Sequence, residues 1–404
     1  MGGRSFVPIS QTGAGWKANA VARDSKGRLL AVGGAGTDFV VARYLSNGQL
    51  DPSFGTNGGV VRLGPFFSPA NKQDAAAQDV ALDREGRILL AGQANIEAEP
   101  LLAMARVTPD GEPDPSFGGG DGLFHSETPS EFPFAVALQP NQRILVSGYV
   151  PISEGRTAAF LQRYKPNGRI DHSFGGRGTG KIRLAPPNGG AGILDLSALP
   201  SGKILGSGYF GYDFMLARFL SNGKIDPTFG GRRRPGLAIT DVARNPNCGC
   251  AIGWGLARDR RGRILTAGYV ESPNPRTYSA LTRHLPNGAR DRSFGVNGVA
   301  RTKVAGGFVS THVAVQRDGR VVLSGGSGKL GPDGTPFGQS TLLRYRQSGR
   351  LDRSFFGDGV LNVKVGSRSL FRDLLVDPSG RIVAAGGAAI GSDRGFLLAR
   401  FLTR

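Results

Sequence analysis

The chain has 404 residues, a formal net charge of +19, 64 glycines, 25 prolines and 39% hydrophobic residues. That hydrophobic share supports a packed core and excludes wholesale disorder. No apolar run nears the roughly 20 residues that cross a bilayer, so no membrane span is expected, and no signal peptide is read at the start.

The basic residues are forty Arg and ten Lys, recurring through all the repeats rather than gathered in one block. The densest runs are Arg232-Arg233-Arg234 and the stretch from Arg258 to Arg263. A protein that tracks phosphates along a nucleic acid needs a concentrated stripe with stacking aromatics, so nucleic acid is not an expected partner. Cys248 and Cys250 stand one residue apart, which leaves little room for an unstrained disulfide, and the surrounding sequence lacks the ligands of a zinc site.

In chain order, the first strand-like segment is "SFVPIS", Ser5 to Ser10. Unit 1 follows with four short β-like runs: "NAVARD" from Asn19, Arg28 to Val32, Phe39 to Tyr44, and "VVRL" from Val60. A turn at Ser25-Lys26-Gly27 joins the first two. Between the third and fourth lies "LDPSFG". This motif returns as "PDPSFG", "IDHSFG", "IDPTFG", "RDRSFG" and "LDRSFF", beginning at Pro113, Ile170, Ile225, Arg290 and Leu351. The second run recurs seven times, as in "RLLAVG", "RILLAG" and "RIVAAG". The seventh unit ends at "ARFLTR" without an SFG segment.

Four antiparallel strands repeated seven times is the composition of an all-β, seven-bladed propeller, a single domain over 1–404. The blades are expected at about 16–63, 78–126, 134–184, 193–240, 254–304, 308–365 and 371–404. A ring must close or its terminal blades expose their packed faces. The spare strand at 5–10 is therefore expected to serve as the fourth strand of the seventh blade. Pro8 is tolerated there, on an outermost edge.

The recurring Arg, Asn-Gly turn, "[LI]Dx[ST]FG" and Gly-Val resemble the delta-60 repeat family of bacterial proteins. The resemblance implies a propeller-like array, an extracellular or cell-envelope setting, and no catalytic or cofactor residues. Two departures stand out: unit 7 lacks the motif, and Phe356 occupies a Gly position in unit 6.

Arg and Asp keep a spacing of eight in each complete unit: Arg43 with Asp51, Arg106 with Asp114, Arg163 with Asp171, Arg218 with Asp226, Arg283 with Asp291, and Arg344 with Asp352. Six equal copies argue for structural ion pairs rather than an active site, which needs one asymmetric constellation. The Phe of each motif is expected to fill the space between blades, and its Gly to permit the turn.

Function is expected where the repeats differ. The loops between strands two and three and the links between blades vary, and strand alternation puts both on one face of the disc. After the strand-two Gly, three consecutive units carry Tyr149, Tyr209 and Tyr269, with Phe210 and Tyr212 close by. This aromatic arc is expected to stack on a sugar or a peptide side chain, against the alternative that the rings pack between blades. The expected function is a monomeric, non-enzymatic binding or scaffold module for a peptide, glycan or protein, with no metal, cofactor or catalytic residue. One alternative is a propeller lyase or hydrolase using channel carboxylates such as Asp79, Asp195 and Asp373. A second is a binder of anionic surfaces through an Arg-rich face.

Overall fold

The computed structural model describes residues 3–10, 17–66, 74–96, 99–153, 155–176, 178–243, 251–271, 277–304, 307–330 and 336–402. Cys248 and Cys250 lie outside them. The described residues form seven four-stranded antiparallel sheets, each ordered from the axis outward in chain order. Blade 1, for instance, runs Ala18–Arg23, Leu29–Ala35, Asp38–Tyr44 and Val60–Leu63. Blade 7 is the exception: its outer strand is Arg4–Ser10, paired antiparallel with Asp393–Phe401. Val7 lies opposite Phe396 and Pro8 opposite Gly395, with a register shift just beyond Pro8. Gly395 is needed at that crossing, because a Cβ there would stand 2.0 Å from the Val7 carbonyl oxygen.

The core lies in the seams between blades, not within them, since a lone four-stranded sheet buries neither face. One cluster joins Phe39, Val41 and Phe54 of blade 1 to Ile88, Leu90 and Val107 of blade 2. Another joins Val7, Phe396 and Leu398 of blade 7 to Val40 and Tyr44 of blade 1. The closing strand thus contributes to the core as well as to the sheet.

Each complete unit ties its SFG segment down in the same way. The Arg Nε donates to the Asp Oδ2 at 2.6–2.9 Å in all six. The motif's Ser or Thr hydroxyl donates to the other carboxylate oxygen at 2.6–2.8 Å. The guanidinium lies over the motif's Phe ring, 4.2–4.7 Å from its centroid. In five units a further guanidinium nitrogen donates to a backbone carbonyl of the next blade: that of Pro109, Pro166, Ser221, Pro286 or Gln347. Arg400 of blade 7 reaches the Ser46 carbonyl of blade 1 in the same manner, so the pattern runs across the closure.

A second cation meets each of these aspartates from the start of strand two: Arg28, Arg87, Arg143, Lys203, Arg263 and Arg320, at 2.8–3.7 Å. Phe356 keeps the left-handed backbone of the glycines it replaces, with φ of 52° against 61° at Gly55. An L-residue there costs about 1–2 kcal/mol. Its ring is exposed and stands edge-on to Phe355.

Two expectations follow. Deleting residues 1–10 removes the buried Val7 and leaves Asp393–Phe401 as a bare edge, so unfolding stability should fall by at least about 2–3 kcal/mol. A urea midpoint equal to that of the intact chain would contradict this. Asp171→Asn leaves Arg163 buried opposite a neutral group and should cost about 3–5 kcal/mol. Arg143→Ala, at the more exposed partner, should cost under about 1 kcal/mol. Equal losses in the two variants would show that burial does not set the cost.

Candidate functional site

The innermost strand of every blade carries a β-bulge at one equivalent place. An extra residue at a bulge re-aims its side chain. The seven bulge residues are Asn19, Gln78, Phe134, Leu194, Trp254, Thr311 and Arg372. All seven line one chamber on the channel axis, of about 70 Å³. They divide by chemistry. Blades 3 to 5 supply Phe134, Leu194 and Trp254, whereas blades 6, 7, 1 and 2 supply Thr311, Arg372, Asn19 and Gln78. Phe134 and Trp254 meet edge to face at 5.5 Å, across the intervening Leu194.

The next residue forms the chamber floor in six of the blades, and in blade 5 it is Gly255. Three are aspartates: Asp79, Asp195 and Asp373. Each reaches across the seam to a backbone N–H of the following blade. Val136 donates to Asp79 at 2.8 Å, Leu256 to Asp195 at 2.6 Å, and Val21 to Asp373 at 2.7 Å. Those receiving blades carry only Ala135, Gly255 and Ala20 at the floor position, so the carboxylates have room to pass. His312 of blade 6 completes the floor. Its Nε2 lies 3.3 Å from Asp373 Oδ1 and its Nδ1 lies 3.9 Å from Asp195 Oδ2. Gly255 admits it, since a Cβ there would come within 2.8 Å of the His312 Cα.

Three carboxylates and one imidazole in a narrow neck perturb one another. Burial raises Asp79 to about 7, against the pull of the Val136 N–H, and the Asp195 charge adds to the rise. Burial also raises Asp195 to about 6, although His312 opposes it. Asp373 is raised by burial in the same way. For His312 burial disfavours the charge, but the carboxylates of Asp373, Asp195 and Asp79 outweigh it and its pKa rises.

Of the sequence-predicted aromatics, Tyr149 belongs to this region. It stacks on Phe132 at 4.9 Å and on Phe134 at 5.6 Å, linking the variable-loop face to the chamber. Tyr209 lies against Gly190 and Gly192 of its own blade, and its hydroxyl meets that of Thr157 in blade 3 at 3.1 Å. Phe210 is half-buried beneath Arg234, while Tyr212 is exposed. Tyr269 is half-buried opposite Ile252. The twelve Arg and Asp residues of the SFG motif lie away from the chamber, at the turns of the opposite face. Sequence reasoning missed Phe134, Trp254, Arg372 and His312. Their signal was a single position on the first strand that changes chemistry from unit to unit. Among the described residues no set of three or more His, Cys, Asp or Glu is placed to hold a metal ion.

With that geometry in hand, comparison with known proteins places the chain among β-propellers. The family model described as a domain of unknown function (DUF5122) beta-propeller matches residues 27–54, 86–117 and 199–229. Each stretch runs from the first turn of a blade to its SFG phenylalanine, and the match supports a β-propeller repeat family. No curated protein matches the sequence. Among solved structures, virginiamycin B lyase from Staphylococcus aureus superposes with a TM-score of 0.54 at 10% identity, covering 99% of both chains. Its catalytically inactive form with quinupristin gives 0.54 at 9% identity, again over 99% of both. The polysaccharide lyase Uly1 gives 0.49 at 10% identity, over 95% of this chain and 89% of its own. Identities this low show a shared fold alone.

The floor charges set a pH dependence. The raised carboxyls bind protons more tightly in the folded chain than in the unfolded one, so stability falls as pH rises from about 4 to 7. His312 acts in the same direction: its contribution holds below about pH 6.5 and is lost as pH climbs through its raised folded value. The SFG aspartates, whose pKa values are lowered, act oppositely and lose their contribution as pH falls below about 4. The melting temperature should therefore peak near pH 5 and decline towards pH 8, with a shallower decline in Asp79→Asn. A profile that rises from pH 5 to pH 8 would contradict this.

Proposed function

We propose that the protein is a binding module whose axial chamber, entered from the variable-loop face, takes a terminal sugar ring or a single peptide side chain. The observation that carries this reading is the ring of seven unlike bulge residues in a molecule whose seams repeat from blade to blade. Repeated residues serve each blade alike, whereas a ligand needs one asymmetric constellation. The division of that ring supports the ligand class. A sugar has an apolar face for Phe134 and Trp254, and polar edges for Asn19, Gln78, Thr311 and Arg372. Tyr149 extends the aromatic surface upward, and Tyr209, Tyr269, Phe210 and Tyr212 border the same face. We read the repeat itself as the delta-60 repeat.

A second reading is favoured by one observation: His312 stands between two carboxylates, and Asp79 and Asp195 are raised towards neutral pH. Groups so poised serve general acid–base chemistry. The backbone N–H bonds held by all three aspartates favour a scaffolding role for them instead, so binding is the preferred reading.

Neutral oligosaccharides and short peptides, presented as arrays, test the proposal. A hit should weaken roughly tenfold or more in Trp254→Ala or Phe134→Ala, with the melting temperature held within a few degrees. No hit in either class, or hits indifferent to both variants, would overturn it. Turnover of a bound saccharide that disappears in His312→Gln while binding persists would favour the enzymatic reading.

A further inference from the structure

The opposite mouth of the channel is different in kind. The first-strand ends and first turns of blades 5, 6, 7 and 1 enclose a basin of about 410 Å³. Arg23, Arg258, Arg260 and Arg317 line it. All four are exposed, and none has a side-chain hydrogen bond or ion pair among the described residues. The acids beside them are already committed. Asp259 holds Arg263 at 2.6 Å, and Asp377 holds Arg381 at 2.6 Å. The basin thus gathers four positive charges, and only Arg258 also faces the adjoining axial cavity of about 420 Å³ that Asp79, Asp195 and Asp373 line.

These arginines are not part of the repeat. Where Arg23 and Arg258 stand, the other blades have Leu82, Leu138, Ala198, Val315 and Val376. Where Arg260 and Arg317 stand, blades 1, 3, 4 and 7 have Ser25, Pro140, Pro200 and Pro378. Blade 2 has Arg84, which donates to the Pro140 carbonyl and so is engaged elsewhere. The wall between the arginines is apolar, formed by Val315, Leu375 and Val376. Guanidinium forks match the paired oxygens of phosphoryl groups, and a recessed basin concentrates their field.

We propose that this mouth binds a soluble ligand carrying two or more linked phosphoryl groups. The site is independent of the aromatic chamber: it lies on the other face, beyond the carboxylate floor, and shares none of its residues. The concave shape selects a compact ligand over a lipid surface. The carboxylates of the neck keep an anion at the mouth and out of the channel.

The test is calorimetric titration of inorganic tripolyphosphate into the whole chain at about 0.15 M salt, where contacts between distant surface charges are screened. Saturable one-to-one binding is expected. Arg258→Ala/Arg317→Ala should weaken it by roughly tenfold or more, as should Arg260→Ala/Arg317→Ala. Arg232→Ala/Arg233→Ala removes the same charge from a turn on the outer part of blade 4 and should change affinity less than about twofold. Thermal melts of each variant establish that it is folded. Absence of saturable binding overturns the proposal, as does equal weakening in all three variants, which signals general charge. Binding to phosphoinositide vesicles that tripolyphosphate does not displace assigns the basin to a membrane surface, and overturns it as well.

Discussion

The whole ring depends on what one guanidinium does six times over. Arg43 and its counterparts each bond a carboxylate of their own blade and cover the motif's phenylalanine, and five of the six also donate to a carbonyl of the next blade. A lysine could supply the charge but not the fork, nor the flat face that lies on a ring. Because the carbonyl belongs to the following unit, each complete blade in that run is fastened forward as well as internally. Arg400 extends the sequence of seams past the chain ends to Ser46. The second cation on each aspartate accounts for another constant of the sequence, the Arg or Lys that opens every second strand. In blade 7, which has no SFG aspartate, Arg381 keeps only the contact with the Asp four residues before it that Arg28, Arg87 and Arg263 also make.

The architecture was legible because it is written seven times. Strand count, turn positions, the spacing of eight and the role of Ser5 to Ser10 all follow from features visible in several copies. The axial chamber was not, for a geometric reason. Its members are separated by some 55 to 65 residues in the chain and become neighbours only because the ring closes. Each also sits on a bulge, where the alternation of inward and outward side chains breaks, so strand periodicity points past it. Tyr149, Tyr209 and Tyr269 stood out because they follow a constant glycine. Trp254 and Phe134 have no such marker. They surface only when the first strands are aligned on the aspartates and His312, and read as a column.

The floor shows how the same position can be structural in one blade and chemically poised in another. Asp79, Asp195 and Asp373 alternate with the small residues Ala135, Gly255 and Ala20, so each carboxylate bridges a seam that its neighbour leaves open. Backbone N–H groups hold the carboxylates in place, but three such groups around one axis repel one another. His312 answers part of that repulsion by standing between Asp195 and Asp373, in the space that Gly255 vacates. Burial and mutual charge raise the pKa values of Asp79 and Asp195, while the SFG aspartates move the other way, because the hydroxyl and backbone N–H of the motif's Ser donate to them and cations stand beside them.

A closed repeat ring also constrains where any recognition can be built. Along the seams a substitution in one unit must fit partners that are duplicated in the neighbouring units, so departures are penalised on both sides. At the two ends of the axis the blades converge without interlocking, and a residue there answers to no copy of itself. Both mouths have used that freedom, in opposite senses: one gathers aromatic and amide side chains above a carboxylate floor, the other gathers arginines below it. The neck between them is narrow and acidic, and it separates a chamber suited to neutral rings from a basin suited to anions. The two proposed sites share no residue, and the charges between them act in opposite senses: the carboxylates of the neck repel an anion and the four arginines of the mouth attract it.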